Sequence, residues 1–164
     1  MNLCIYTVGA ISGLGYDECV KQFNVRIEKL KGYGYDVLYP MLGKEYLRNE
    51  TSLRAEGYPN TPLSCNHAIV QADFWRVDKA DILFVDFTNA VDRVSIGSVA
   101  EMSRGFAKGK LIVTVMQKEN IHRHAFVIEL SSIIFETIDE AYNYFEKYKE
   151  LLLVPAGSTD RTKH

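Results

Sequence analysis

A glutamate on a predicted helix has the surroundings that a nucleophile needs. Glu101 follows a buried strand and a polar loop, and it lies early in the predicted helix IGSVAEMSRGFAKG. The small residues Gly97, Ser98 and Gly105 share its side of the helix and leave room for a ligand to approach the carboxylate. The dipole at a helix N-terminus favours negative charge, and an ionised glutamate can attack an electrophilic carbon. The alternative is a solvated glutamate on an exposed helix face.

A second carboxylate lies on an earlier predicted helix. Asp73 is spaced four residues from Ile69 and four from Val77, so all three share one face of that helix. A carboxyl group that faces a core is either paired or has a raised pKa, and a raised pKa suits a general acid. The alternative is an Asp73 that accepts a hydrogen bond from a nearby backbone N–H or from Arg76.

Three other features of the sequence could contact a ligand. Tyr6 lies near the carboxyl end of the first predicted strand, where its phenol can reach a ligand, although simple packing also explains a tyrosine there. The turn GAISGLG at 9–15 can hold a phosphate through backbone N–H groups, but it matches neither the GxGxxG fingerprint nor a Walker loop and fits an ordinary tight turn equally well. His122 and His124 hint at a metal, but no carboxylate or cysteine clusters with them, which favours a hydrogen-bonding loop.

Strands and helices alternate along the chain in the pattern of an α/β protein. Apolar, β-branched runs predict strands at 3–8, 36–39, 81–87, 111–116 and 132–135. Apolar periodicity predicts helices at 17–32, 66–79, 96–109 and 137–153, with short helical turns near 44–48 and 121–130, and Asp17 and Asn66 are the predicted N-caps. The expected fold is a single doubly wound, five-stranded parallel sheet of the flavodoxin-like or Rossmann-like kind, with helices on both faces. Ligands of such sheets bind at the carboxyl ends of the strands.

The chain has the size and composition of one globular domain. Its 164 residues are 47% hydrophobic and 24% charged, and we expect the domain to span 1–153, followed by a polar, frayed tail at 154–164. Residues 41–63 combine glycines, prolines and charges with little periodicity, which predicts a long loop that acts as a lid or is flexible.

Charge and cysteine content exclude several classes of function. A net charge of −2 gives no electrostatic basis for binding polymeric nucleic acid or an anionic membrane. The three cysteines are scattered and match no zinc spacing, so we expect reduced thiols in a cytoplasmic protein. No stretch has the character of a targeting or transmembrane segment.

Five stretches taken together resemble the nucleoside 2-deoxyribosyltransferase superfamily, which includes nucleoside 5′-monophosphate N-glycosidases. They are IYTVGAISGLGYDE, PMLGKEYL, ADFWRVDKADILFVDFT, RVSIGSVAEMSRGFAKGKLIVTVM and ENIHRHAFVIE with the later TIDEA. Their order and spacing agree with the family up to about residue 150.

The resemblance implies a role for individual residues. Glu101 falls on the catalytic carboxylate, Asp73 on the acid beside the base, and Tyr6 on the tyrosine that positions the nucleophile. The segment containing His124 and Phe126 falls near the one that reaches into a neighbouring subunit's site. The remaining implied substrate contacts are Gly9, Ser12, Gly13, Ser95, Gly97 and Ser98.

Ser95 indicates which branch of the superfamily the chain is closer to. Six residues before the glutamate, base-exchanging transferases carry an aspartate, whereas deoxynucleotide N-hydrolases carry a serine that contacts the 5′-phosphate. Hydroxyl and backbone donors at a helix N-terminus suit a phosphate, so Ser95 favours a 5′-monophosphate substrate. Ala10 stands where the family often has proline, and no arginine occupies the turn at 13–17.

The resulting expectation is cleavage of an N-glycosidic bond in a nucleoside or its 5′-monophosphate, by two carboxylates about 5 Å apart as in a retaining glycosidase. No metal or cofactor is required.

The resemblance implies a homodimer or larger oligomer with shared sites, and the aromatic last helix is one candidate interface. Base exchange, nucleotide binding without turnover, and a redox or signalling domain of flavodoxin type are the alternatives. The absence of a flavin-type phosphate loop disfavours the last of these.

Overall fold

The computed structural model describes residues 2–153, which form one central parallel sheet. Its five strands are β1 (Cys4–Gly9), β2 (Asp36–Leu38), β3 (Ile82–Asp86), β4 (Leu111–Val115) and β5 (Ile133–Phe135). Every pair of neighbouring strands is parallel. The middle strand β3 is buried along its whole length because helices cover both faces of the sheet.

Five α-helices in the described chain form the outer layers. They are α1 (Tyr16–Gly32), α2 (Asn66–Lys79), α3 (Ile96–Ala107), α4 (Ala125–Leu130) and α5 (Ile138–Leu153). One core lies between the sheet and α2, α3 and α4, and a second lies between the sheet and α1 and α5. No helix within residues 2–153 is long and apolar enough to cross a membrane.

The strand order determines where a ligand can bind. The order is β2-β1-β3-β4-β5, so the chain first builds outward on one side of β1 and then on the other. Loops leaving β1 and β3 therefore diverge at their carboxyl ends and leave a crevice between them, the usual ligand position in an open α/β sheet. This arrangement confirms the predicted fold class.

Most element boundaries agree with the predicted ones, but the predicted N-caps are wrong. Gly15 precedes α1, and Asp17 lies inside its first turn, where a carboxylate still complements the helix dipole. Cys65 precedes α2, and the Asn66 side chain instead accepts a 2.5 Å hydrogen bond from the backbone N–H of Gly57. The predicted helical turn at 121–130 is helical only from Ala125 onward.

The long connection after β2, at 40–64, packs against the turn after β1 and is called the wall below. Two short 3₁₀ helices lie in it, at Glu45–Leu47 and Pro62–Ser64. Backbone hydrogen bonds join it to the turn after β1, from Gly13 N–H to the Leu53 carbonyl (2.8 Å) and from Leu53 N–H to the Leu14 carbonyl (2.7 Å). Gly13 has a φ of +89°, which only glycine adopts readily, so its identity determines the path of this turn.

The last helix contributes its aromatic face to the core. Ala141, Tyr142 and Phe145 of α5 are buried against the sheet, where Phe145 packs edge-on against Phe84 of β3. These three side chains therefore pack in the core, and an interface through the half-buried Tyr144 and Tyr148 of α5 stays a prediction. The predicted frayed tail at 154–164 lies outside the described residues.

Candidate active site

A cavity of about 660 Å³ opens at the carboxyl ends of the strands. The turn at 9–14 after β1, parts of the wall at 40–64 after β2 and the loop at 89–95 after β3 form its sides. The α2 residues Ile69 and Asp73 and the first turns of α3 complete it. The cavity therefore occupies the crevice that the strand order creates.

Glu101 lines this cavity and contacts the buried Tyr6. Tyr6 points from β1 and is fully buried, and its hydroxyl donates a 2.6 Å hydrogen bond to Glu101 Oε1. Glu101 projects from α3 with only 8% of its surface exposed, yet its side chain lines the cavity. The hydrogen bond holds the Glu101 carboxylate in one orientation and leaves its second oxygen available to a ligand.

The charge state of Glu101 is governed by burial. Glu101 is the sixth residue of α3, beyond the first turn, so the expected help from the helix dipole does not apply there. Burial, followed by the nearby charge of Asp73, raises the pKa of Glu101 to about 8, while the Tyr6 hydrogen bond acts in the opposite direction. The proposal that the dipole keeps Glu101 ionised is wrong, because the carboxyl group is protonated more readily than a free glutamate.

Asp73 lies in the same cavity and is paired with an arginine. Arg76 Nη1 donates to Asp73 Oδ1 at 2.7 Å, and Arg76 Nη2 donates to the Leu42 carbonyl at 3.1 Å. Burial raises the pKa of Asp73, whereas Lys44 and Arg76 lower it. Both interpretations from the sequence therefore hold together: Asp73 pairs with Arg76, and it also faces the cavity beside Glu101.

Lys44 is a site residue that the sequence analysis missed. It belongs to the PMLGKEYL stretch, lines the cavity and is only 6% exposed. Burial lowers the pKa of its amino group, while Asp73 and Glu101 act against that shift. The available signal was a lysine inside a stretch that resembles the family, but no local pattern shows that this side chain turns inward.

The start of α3 and the residue before it form another part of the cavity lining. Ser95 precedes the helix, and its hydroxyl lies 2.8 Å from that of Ser98. Gly97 also lines the cavity, as do Gly9, Ser12 and Gly13 of the turn after β1. Six predicted substrate contacts thus surround one space.

Arg93, from the loop after β3, lies beside the turn at 13–17, which itself contains no arginine. The exposed Arg93 lies against Gly13, where an added Cβ would stand 3.9 Å from Arg93 Nη1. Arg93 lines the cavity on the side of Ser95, and it forms no ion pair with the described residues. The sequence VDRVS places it near Ser95, but its approach to Gly13 depends on the fold.

His122 is a buried structural residue that supports the Ser95 loop. Its Nε2 accepts a 2.8 Å hydrogen bond from the Ser95 backbone N–H, and its Nδ1 lies 2.9 Å from Asn120 Oδ1. The Asn120 amide nitrogen donates to the Phe87 carbonyl, so Asn120 Oδ1 accepts and His122 carries its proton on Nδ1. The imidazole also stacks on Phe87, with 3.9 Å between ring centroids.

His124 and Phe126 lie outside this cavity. His124 caps α4 by accepting from the Phe126 N–H at 3.3 Å, and Phe126 is 69% exposed. With His122 buried in its own hydrogen bonds, the pair does not form a metal site, and residues 2–153 contain no cluster of three metal-ligating side chains. The predicted contact of His124 and Phe126 with substrate stays a prediction about a neighbouring subunit.

Gly105 serves helix packing. A Cβ at this position would lie 2.8 Å from Leu83 Cδ2 and 3.5 Å from Ile112 Cδ1. The expectation that Gly105 leaves room for a ligand is therefore wrong, because the sheet fills that space. Its absence of a side chain lets α3 approach β3 and β4 closely and thereby sets the height of Glu101 above the sheet.

Solved structures with this fold include two enzymes that act on nucleosides or nucleotides. A CMP N-glycosidase, BcmB, from Clostridium botulinum superimposes with a TM-score of 0.55 at 16% identity, covering 88% of this chain and 98% of that one. A 2-deoxyribosyltransferase from Bacillus psychrosaccharolyticus gives 0.58 at 18% identity, covering 86% and 91%. A conserved protein from Enterococcus faecalis V583 gives 0.50 at 14% identity, covering 93% and 95%.

No protein-family model matches the chain, and no curated protein sequence matches it. At these identities the structural likeness establishes the fold. It is the fold that the sequence resemblance implies.

Proposed function

We propose that this chain is a nucleoside 5′-monophosphate N-glycosidase of the nucleoside 2-deoxyribosyltransferase superfamily, with Glu101 as its nucleophile. The observation that carries the proposal is the 2.6 Å hydrogen bond from Tyr6 to Glu101, a glutamate that lines the same cavity as Asp73. A buried carboxylate oriented by a phenol, with a second carboxylate beside it, is a costly arrangement unless it performs chemistry. The sequence resemblance and the two enzymes with the same fold support the choice of reaction.

The reaction proceeds in two balanced steps. Glu101 attacks C1′ as the bond from C1′ to the base nitrogen breaks, and Asp73 gives a proton to the departing base. The electron pair of the broken bond stays on the base, and a glycosyl ester forms on Glu101. Water then attacks C1′, gives a proton to Asp73 and releases the Glu101 carboxylate. The sugar keeps its anomeric configuration, as in retaining glycosidases.

Attack requires Glu101 in its ionised form and Asp73 in its protonated form. One proton shared between the two carboxyl groups satisfies both requirements. Burial raises the pKa of each, and the Tyr6 hydroxyl favours the ionised form of Glu101. Lys44 and Arg76 place positive charge around the pair and limit the cost of burying it.

The end of the cavity at α3 fits a 5′-phosphate. Ser95, Gly97 and Ser98 offer hydroxyl and backbone donors at a helix N-terminus, where the dipole favours an anion. Arg93 adds a positive charge next to the turn that contains Gly13. The name of the Clostridium botulinum enzyme states a nucleotide substrate, which agrees with a phosphate at this position.

Base exchange is the second candidate, because the fold is shared with a 2-deoxyribosyltransferase. The two reactions have the same first step and differ in whether water or a second base attacks the glycosyl ester. Ser95, in place of the aspartate that marks the exchanging branch, favours hydrolysis of a monophosphate.

We further propose a homodimer or larger oligomer in which His124 and Phe126 approach a neighbour's cavity. Large apolar side chains are exposed on the adjacent helices α3 and α4, among them Ile96 (80%), Phe106 (58%) and Phe126 (69%). Exposed apolar surface of this kind is typical of protein interfaces. Replacing Phe126 with aspartate should lower both the mass in sedimentation experiments and the activity. A wild-type protein that sediments as a monomer would contradict this assembly.

The three unpaired cysteines fit a cytoplasmic protein.

The decisive experiment compares wild type with Glu101→Gln on mixed deoxynucleosides and their 5′-monophosphates, with and without an acceptor base. Products are identified by mass. We expect wild type to release free base from monophosphates, and Glu101→Gln to be slower on the order of 10³-fold or more. Intact-protein mass after rapid quenching should reveal a pentosyl adduct on wild type.

Glu28→Gln is the matched control, since Glu28 is exposed on α1 outside the cavity and its loss should leave the rate unchanged. New nucleosides formed from the acceptor base would support exchange. Binding without any turnover would support a nucleotide-binding protein, and an unchanged rate in Glu101→Gln would rule out the proposed nucleophile.

A further inference from the structure

Lys44 is a buried lysine whose head group has no partner among the described residues. It lines the cavity beside two buried carboxylates, and it forms neither a hydrogen bond through Nζ nor an ion pair with residues 2–153. Arg76, the cation next to Asp73, donates instead to Asp73 and to the Leu42 carbonyl. Although Lys44 is buried as a residue, its Nζ keeps contact with solvent, so the ammonium group can donate hydrogen bonds to water or to a ligand in the cavity.

The position of Lys44 places it on the Asp73 side of the cavity. Its backbone N–H closes a turn to the Met41 carbonyl at 3.1 Å, and Arg76 joins the Leu42 carbonyl of this same turn to Asp73. The phosphate-binding candidates Ser95 and Arg93 belong to a different part of the lining, the loop that leads into α3. Lys44 therefore lies near Asp73, the carboxylate that is proposed to protonate the departing base.

The chemistry at that position defines what Lys44 can recognise. As the bond from C1′ to the base breaks, the electron pair delocalises over the base and onto any carbonyl oxygen conjugated with the glycosidic nitrogen. An ammonium group donates hydrogen bonds and accepts none. It therefore stabilises a carbonyl oxygen that gains negative charge. An exocyclic amino group in the same place is also a donor and cannot form this hydrogen bond.

We propose that Lys44 determines base specificity by donating a hydrogen bond to a carbonyl oxygen of the departing base, which selects bases with a ring oxo group over adenine. This inference rests on the proposed function and adds the class of base. Lys44 keeps its proton in the reaction, and Asp73 remains the proton donor.

The test measures kcat/KM for release of base from the 5′-monophosphates of deoxycytidine, deoxyuridine, thymidine, deoxyguanosine, deoxyinosine and deoxyadenosine. The variants are Lys44→Met, which removes the charge at similar size, and Lys44→Arg, which keeps it. Lys118→Met is the control, because Lys118 is 74% exposed and lies outside the cavity.

We expect wild type to prefer the oxo bases. Lys44→Met should lose on the order of 50-fold on these substrates, as for a hydrogen bond to a charged group, and less than about threefold on the adenine substrate. Lys44→Arg should recover part of the loss, and Lys118→Met should match wild type. An equal loss on all six substrates, or no loss on any, would overturn the assignment, whatever the thermal stability of the variants.

A binding measurement separates this inference from the proposed reaction. If wild type releases no base from any substrate, the proposed reaction is wrong. Calorimetric titration of the same six monophosphates then tests whether Lys44 recognises the base. Weaker binding of the oxo nucleotides to Lys44→Met, by about tenfold and without change for the adenine nucleotide, would support the role of Lys44 in recognition. Equal binding of all six to both proteins would exclude it.

Discussion

The hydroxyl of Tyr6 and the carboxylate of Glu101, from residues 95 positions apart in the sequence, meet at 2.6 Å in a buried site. β1 carries the phenol and α3 carries the carboxylate, so each is held by a packed element. A short hydrogen bond in a low-dielectric environment is stronger than one in water and tolerates little movement. The pair is therefore preorganised before any ligand binds.

Removing the Tyr6 hydroxyl should affect both the rate and its pH dependence. The hydrogen bond from Tyr6 lowers the pKa of Glu101, which burial raises to about 8. In Tyr6→Phe that pKa rises further, so the acidic limb of the kcat/KM profile should move to higher pH, and kcat should fall by about 10–100-fold. Tyr142→Phe is the matched control, because the buried Tyr142 hydroxyl has no hydrogen-bond partner in the described chain. A limb that stays in place in Tyr6→Phe would contradict this role.

Glu101→Gln should stabilise the folded protein at alkaline pH. A carboxyl group whose pKa is raised in the folded state stabilises folding below its unfolded pKa, and this contribution is lost as pH rises toward 8. By pH 7 this loss of stability amounts to about 3 kcal/mol, because the unfolded chain has then ionised its glutamate and the folded chain has not. Urea denaturation from pH 5 to pH 8 should show that the free energy of unfolding of Glu101→Gln rises relative to that of wild type as pH rises. Parallel pH profiles would mean that Glu101 titrates as a free glutamate.

His122 should control phosphate affinity through Ser95. His122→Phe keeps the stacking on Phe87 but removes the acceptor for the Ser95 N–H, which costs about 1–3 kcal/mol of stability. We expect KM for a monophosphate to rise about tenfold, with little change in kcat. His122→Gln should recover part of the affinity, because its amide oxygen can accept from Ser95. Equal KM values in the two variants would assign His122 to packing alone.

The protonation of His122 adds a pH test. Burial lowers its pKa, so its contribution to stability is present above the ordinary histidine value and is lost as pH falls below it. Thermal denaturation should therefore show wild type losing stability in weak acid more steeply than His122→Phe.

Arg93 should discriminate phosphorylated from unphosphorylated substrates. We expect Arg93→Ala to raise KM for a 5′-monophosphate about tenfold, to leave KM for the nucleoside unchanged, and to reduce the salt dependence of monophosphate cleavage. Arg48→Ala is the control, since Arg48 is exposed and outside the cavity. A similar loss for nucleoside and monophosphate would place Arg93 elsewhere in the mechanism.

Local patterns were sufficient to predict the fold. Each strand is a short apolar run and each long helix has an apolar stripe, because a strand or helix must bury one face whatever its neighbours are. Boundaries and caps were less predictable. Asp17 and Asn66 fit cap positions in the sequence, but the path of the preceding chain decides which residue stands outside the helix.

The sequence by itself determined the α/β architecture, the position of the crevice at the strand ends, and Tyr6, Asp73 and Glu101 as candidates through family spacing. Only the tertiary structure decided the state of these groups. Burial, and not the helix dipole, sets the pKa of Glu101, and Arg76 holds Asp73. Lys44 and Arg93 line the cavity only because two distant loops converge on it, and His122 supports it only through its hydrogen bond to Ser95. Convergence of this kind depends on packing between distant segments, and no local periodicity encodes it.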